Sequence, residues 1–289
     1  MTSFTGIWVP LVTPFNDGKI DVPALQATTR NLIASGIAGL VACGTTGEPA
    51  ALGEDEQLAV LDAVIDASQG HPVVMGLCDN NMTSLFSRLK RIQERPIGGI
   101  LVPPPYYIRP SQAGLVAYFH AVADAASVPV IVYNIPYRTG VTMELETLRA
   151  IAEHERIVAI KDCGGNFALT MQLIADGKLA VLAGEDQQIL STLCLGGSGA
   201  IAASAHLRPD LFVRLAQLVH ECRLDDARKV FYDLLPMIHR VFEEPNPGPL
   251  KAALSMMGQM RDELRAPMQA ASADMRTALS VELKRLECL

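Results

Sequence analysis

Short apolar runs alternate with longer amphipathic stretches over about two-thirds of the chain. Eight runs stand out: Ile7–Val12, Gly39–Cys43, Pro72–Leu77, Gly99–Val102, Pro129–Tyr133, Ile157–Lys161, Ala180–Ala183 and Gly199–Ala203. Each is apolar nearly throughout, as in strands covered on both faces. The intervening stretches have helical periods. At Glu54-Asp55-Glu56 acids stand where a helix N-terminus favours them, and Leu58, Leu61 and Ile65 follow at helical spacing, with Asp55, Asp62 and Asp66 opposite. Ser111 opens a second helix through Leu115 and Phe119, and Thr83 is placed to cap the one that ends before Pro96.

Eight strand-plus-helix units predict an α/β fold, a (β/α)8 TIM barrel. After Asp210 the strands stop and helical patterns remain at Leu211–Cys222, Leu224–Val241, Pro249–Met260 and Ala273–Leu286. Residues 1–224 are therefore expected to form the barrel that carries the active site, and 225–289 a C-terminal helical appendage. Pro245-Asn246-Pro247-Gly248-Pro249 interrupts the tail, because three prolines in five residues cannot continue a helix.

Composition narrows the function. The 289 residues carry 24 Lys plus Arg against 31 Asp plus Glu, a net charge of −7 that argues against a nucleic-acid partner. Hydrophobic residues at 49% and charged residues at 19% support a large buried core. No apolar run reaches the roughly 18–20 residues of a membrane span. Met1 to Phe15 lacks a basic segment and holds Pro10 and Pro14, so it reads as an early strand and not a signal peptide. Six scattered cysteines without a C-x-x-C pair suit the reduced thiols of a cytoplasmic protein.

Reactive groups of such barrels sit at the C-terminal ends of the strands. The sixth run ends in Lys161, where partial desolvation would favour the neutral amine that attacks a carbonyl; the alternative is a lysine that snorkels to water. Gly44-Thr45-Thr46-Gly47-Glu48 offers hydroxyls and backbone N–H groups suited to a carboxylate or phosphate, or is an ordinary turn with a Thr cap. Tyr133-Asn134-Ile135-Pro136-Tyr137-Arg138-Thr139-Gly140 supplies a phenol and a guanidinium, or is a shaped turn over a packed Tyr133. In Pro103-Pro104-Pro105-Tyr106-Tyr107-Ile108-Arg109-Pro110 the paired tyrosines suit an interface or core better than catalysis. The six histidines are dispersed and give no metal motif, and neither a Gly-x-Ser-x-Gly elbow nor a Rossmann fingerprint is present.

These segments, with Ile160-Lys161-Asp162 and Glu244-Pro245-Asn246-Pro247, resemble in order and spacing the dihydrodipicolinate synthase / N-acetylneuraminate lyase family of class I aldolase-like barrels. The resemblance covers essentially the whole chain. It implies that Lys161 forms a Schiff base with the C2 carbonyl of pyruvate. Thr45 and Thr46 would hold the pyruvate carboxylate, helped by backbone groups near Ile201, and Gly184 would join the substrate-binding set. Tyr133 would move protons in a relay with Thr45 and with a Tyr107 reaching in from a neighbouring subunit of a homotetramer built from two tight dimers. Physical reasoning supports this relay, since a phenol of unperturbed pKa about 10 is a poor base unless a hydroxyl chain links it to water or a partner. Neither cofactor nor metal is implied.

Arg138 resembles the arginine by which the synthase branch binds the carboxylate of L-aspartate-4-semialdehyde. The expected activity is condensation of that aldehyde with pyruvate, with loss of water, on the lysine pathway. Glu54, Gln57, Ser84 and Leu85 stand where lysine-inhibited members carry histidines and a glutamate, so lysine inhibition is not expected. Asp162-Cys163-Gly164 and Cys78-Asp79-Asn80-Asn81 also depart from the usual pattern. They leave open a related aldolase or dehydratase acting on a sugar acid or another 2-oxo acid. A catalytically silent 2-oxo-acid binding protein is the reading from another class.

Overall fold

All eight apolar runs are strands in the computed structural model, which describes residues 3–289. The strands are β1 (Gly6–Pro10), β2 (Phe15–Asn16), β3 (Lys19–Ile20), β4 (Gly39–Ala42), β5 (Val73–Gly76), β6 (Gly99–Val102), β7 (Val130–Asn134), β8 (Ile157–Asp162), β9 (Ala180–Ala183) and β10 (Gly199–Ile201). Eight of them close a barrel in the order β1-β10-β9-β8-β7-β6-β5-β4, with α-helices along the chain between them. The antiparallel β2–β3 hairpin is an addition that the apolar runs did not reveal. Its turn is Asp17-Gly18, both at positive φ (51° and 75°), a geometry that suits the twist of a two-residue hairpin.

Contacts group the chain into two units. One comprises 72–201 with the stretch ending at Thr5, and the other 6–71 with 202–289. In the first, β5 to β10 run as parallel neighbours. The register of β7 on β8 sets Tyr133 beside Lys161 and Asn134 beside Asp162. Side chains alternate along a strand, so the first pair leaves one face of the sheet and the second pair the other. The helix Met82–Ile92 is capped by Asn81, whose Oδ1 accepts from the N–H groups of Thr83 and Ser84 at 3.0 and 3.2 Å. Thr83 is thus inside the first turn and not the cap, because the Asn81 amide oxygen two positions earlier already accepts from both orphan donors. Ser111 caps Gln112–Ala125 as expected, accepting from Gly114 N–H.

In the second unit β1 pairs with β4, and Trp8 lies opposite Gly39. A Cβ at position 39 would overlap the Trp8 ring, so glycine there is what admits the indole. The tail helices are Pro209–His220, Leu224–Glu243, Gly248–Met256 and Ala273–Arg285. Buried His206 holds the link into them: its Nδ1 donates to the Ala203 carbonyl at 2.8 Å and its Nε2 accepts from Val12 N–H at 3.3 Å. An imidazole used both as donor and as acceptor must be neutral, and burial pushes its pKa down to about 4. The unfolded chain therefore binds a proton between pH 6.5 and 4 that the folded chain excludes. Stability from this group is complete above about pH 6.5 and is lost as pH falls towards 4, by roughly 3 kcal/mol. Urea unfolding across that range is expected to show the decline in the wild type and a flatter profile in His206→Gln. Equal slopes would contradict it.

Candidate active site

Lys161 and Tyr133 meet at the C-terminal ends of β8 and β7. Lys161 is 6% exposed, and its Nζ lies 4.5 Å from the centroid of the Tyr133 ring. Among the described residues no carboxylate and no hydrogen-bond acceptor pairs with that amine. Buried charges are normally paired, since desolvation costs several kcal/mol per ion. An aromatic face supplies only part of that as cation–π attraction.

Gly184, at the end of β9, leaves the room. A Cβ there would come within 3.0 Å of Lys161 Cγ and of the Asp162 carbonyl, and would collide with Cys163 Sγ. On the opposite face of the same strand ends, the Asp162 carboxylate is locked. Its Oδ1 accepts from Asn134 Nδ2 at 2.8 Å and from Gly164 N–H at 2.9 Å, and its Oδ2 from Thr170 Oγ1 at 2.6 Å. These bonds fix the strand end that carries Lys161. They were not anticipated from sequence, although the adjacency of Asp162 to the lysine was a signal.

The segment leaving β7 forms the short helix Pro136–Thr139. Arg138 is exposed, its guanidinium 5.7 Å from the Tyr137 ring centroid and without a carboxylate partner among the described residues. Tyr137 Oη donates to Glu185 Oε1 at 3.0 Å. Burial pushes the Cys163 thiol well above its ordinary range, and a hydrogen bond to Glu185 acts in the same direction while the Lys161 charge opposes both. Its surroundings thus favour the protonated thiol beside Lys161. Neither Tyr137 nor Glu185 was singled out from sequence.

Tyr107 is 88% exposed, so its ring is not part of the Lys161 pocket of its own chain. Its backbone N–H donates to the Thr139 carbonyl at 3.2 Å, and it and Arg109 both have positive φ (73° and 48°). Two non-glycine residues in that region mark a loop held in a costly shape. Ile201, the last residue of β10, is buried with its neighbours Ala200 and Ala202.

The second unit carries Thr45 and Thr46 in a tight 3-10 turn, Thr45–Gly47, after β4. Thr46 Oγ1 accepts from Asn246 Nδ2 at 3.1 Å, which leaves the Thr46 hydroxyl proton available to an anion. Thr13 Oγ1 donates to the Gly47 carbonyl at 2.7 Å. No Thr side chain caps a helix here; Gly44 precedes the turn, and the next helix starts at Glu54 with Glu56 reaching back to Gly53 N–H. Asn246 is a further candidate that sequence reasoning left in a proline-rich breaker. Among the described residues no cluster of three or more possible metal ligands occurs, and no helix is long and apolar enough to cross a membrane.

The model of the dihydrodipicolinate synthetase family matches residues 3–286. The 4-hydroxy-tetrahydrodipicolinate synthase of Syntrophobacter fumaroxidans is 38% identical, covering 97% of this chain and 98% of its own. The 4-hydroxy-tetrahydrodipicolinate synthase 2 of Clostridium acetobutylicum is 35% identical over 95% of this chain and 98% of its own. The crystal structure of the chloride-inhibited dihydrodipicolinate synthase of Acinetobacter baumannii, complexed with pyruvate, superposes with a TM-score of 0.96 at 30% identity, covering 99% of this chain and all of that one. With a family match over almost the full length and relatives of this identity, the chain belongs to the dihydrodipicolinate synthetase family.

Proposed function

We propose that this chain is a 4-hydroxy-tetrahydrodipicolinate synthase, joining pyruvate to L-aspartate-4-semialdehyde through a Schiff base on Lys161. The observation that carries the reading is the buried Lys161 amine over the Tyr133 ring, without an anionic partner among the described residues. Nζ attacks C2 of pyruvate, the former carbonyl oxygen takes protons and leaves as water, and an iminium results. The iminium draws electrons from C3, which loses a proton to give an enamine. Carbon C3 then attacks the aldehyde carbon. The amine of the semialdehyde next adds to C2, closing the ring and expelling Lys161 as the free amine, so that one water leaves overall.

Tyr133 is assigned the proton transfers to and from the C2 oxygen and the new alkoxide, with Thr45 in its relay. Thr45 and Thr46 are assigned the pyruvate carboxylate, with the backbone near Ile201 and the space left by Gly184. No step calls for a metal or an organic cofactor, because the iminium itself is the electron sink. The exposed Tyr106–Ile108 stretch supports assembly, with Tyr107 entering the site of a neighbouring subunit in a tetramer.

The test is intact-protein mass after borohydride reduction with pyruvate, then turnover with aspartate semialdehyde coupled to dihydrodipicolinate reductase. An adduct on Lys161 with coupled turnover supports the synthase. An adduct without turnover moves the assignment to another aldehyde, and no adduct overturns the Schiff-base reading. Arg138→Ala is expected to reduce kcat/KM for the semialdehyde roughly 10²-fold, corresponding to about 2–3 kcal/mol for a charge-assisted fork, while pyruvate trapping is unchanged. Intact semialdehyde turnover in that variant would remove the carboxylate clamp from the mechanism.

A further inference from the structure

A second buried lysine is engaged in the opposite way from Lys161. Lys251 is 0% exposed, and its Nζ donates to Glu48 Oε1 at 2.5 Å and to the Glu263 carbonyl at 2.8 Å, lying 4.3 Å from the Phe15 ring centroid. Glu48 is itself 5% exposed and directly follows the Thr45–Gly47 turn. Its backbone is left-handed (φ 54°, ψ 42°), a region in which a side chain larger than glycine is strained. Its second carboxylate oxygen accepts from Arg265 N–H at 3.3 Å. Arg265 in turn forks onto Glu56 at 2.6 and 2.8 Å and donates to the carbonyl of Ala51 at 2.9 Å.

The turn is thus held at three consecutive residues by three separate segments: Thr46 by Asn246, Gly47 by Thr13, and Glu48 by Lys251 and Arg265. A buried ion pair is weak evidence for stability, because apolar groups of the same volume commonly do as well. Its distinctive property is directional: it holds a carboxylate at one point, and here that point fixes a strained backbone beside two candidate substrate hydroxyls. We propose that the Lys251–Glu48 pair is a positioning device for the carboxylate-binding turn, setting the orientation of the Thr45 and Thr46 hydroxyls. The inference rests on the assignment of those hydroxyls to the pyruvate carboxylate.

The test uses the volume-conserving double variant Glu48→Gln/Lys251→Met, which leaves no buried charge unpaired, and compares it with Glu48→Gly/Lys251→Met. Glycine adopts the left-handed conformation without help. For each, the pyruvate concentration giving half-maximal borohydride adduct is measured by intact mass, beside kcat and both KM values. The Gln/Met variant is expected to need about tenfold more pyruvate, with an unchanged KM for the second substrate and full adduct at saturation. The Gly/Met variant is expected to need less pyruvate than the Gln/Met variant.

Wild-type half-saturation in the Gln/Met variant overturns the positioning role, as does an equal rise in both KM values. If only the Gly/Met variant folds, half-saturation within twofold of wild type supports the role and a larger rise overturns it. If neither variant folds, the pair is needed for folding itself and the positioning role is overturned. Absence of any adduct in the wild type itself overturns the underlying pyruvate reading, an outcome distinct from all of these.

Discussion

Lys161→Ala is expected to form no borohydride-trapped adduct with pyruvate and to lose roughly 10⁴-fold or more in kcat. The amine is the only group proposed to bond to substrate, and without it there is no iminium to acidify C3. The same substitution is expected to leave the unfolding midpoint unchanged or raised. The expectation rests on the desolvation of an amine that is buried with no carboxylate partner among the described residues. The strand end does not depend on it, because Asp162 keeps its bonds to Asn134, Gly164 and Thr170. Intact mass, steady-state kinetics and thermal melting check the three parts. A trapped adduct in the alanine variant would place the nucleophile elsewhere, and a midpoint lowered by many degrees would make Lys161 a structural residue.

Tyr133→Phe separates the ring from its hydroxyl. The ring lies under the Lys161 amine and is 6% exposed, and phenylalanine keeps both the aromatic face and the packing. The hydroxyl, proposed to carry protons, is lost together with the contacts it makes. General acid–base groups contribute typically 10²–10⁴-fold, and kcat is expected to fall by about that factor. The adduct with pyruvate is expected to form to the same final extent but more slowly, because its dehydration step needs a proton donor. Time-resolved trapping measures this directly. An unchanged rate of adduct formation would assign the proton transfers to another group.

The strands were legible because each is buried on both faces, which writes a continuous apolar run into the sequence. Their ends were less so. The first run extends to Val12, but β1 ends at Pro10. Beyond it Leu11 N–H still donates to Val41 at 2.9 Å, whereas Val12 N–H turns to the His206 ring. Apolar character continues after the ladder stops, and only hydrogen bonding marks the difference. The cap at Asn81 in place of Thr83 was decided locally, by which side chain reaches two N–H groups.

The candidate site divides along the same line. Lys161, Tyr133, Thr45, Thr46 and Arg138 could be proposed from sequence because they end strands or begin loops in a fold whose chemistry lies at strand ends. Asn246 was read as part of a helix breaker, yet it hydrogen-bonds Thr46 from 200 positions away. Glu48 and Lys251 are 203 positions apart, and nothing near either in sequence announces the other.

By itself, the sequence determined the repeat of buried strand and amphipathic helix, and it placed a lysine and other polar groups at the strand ends, since these follow from local hydrophobic period and residue chemistry. The tertiary structure decided which of those groups have partners. Lys161 and Lys251 are both buried, but among the described residues one lies against an aromatic ring with no carboxylate partner while the other is tied to a carboxylate. That contrast depends on register between neighbouring strands and on contacts between distant segments. Desolvation makes a buried amine costly wherever it lies, and the partner that the fold supplies or withholds decides whether that cost is offset.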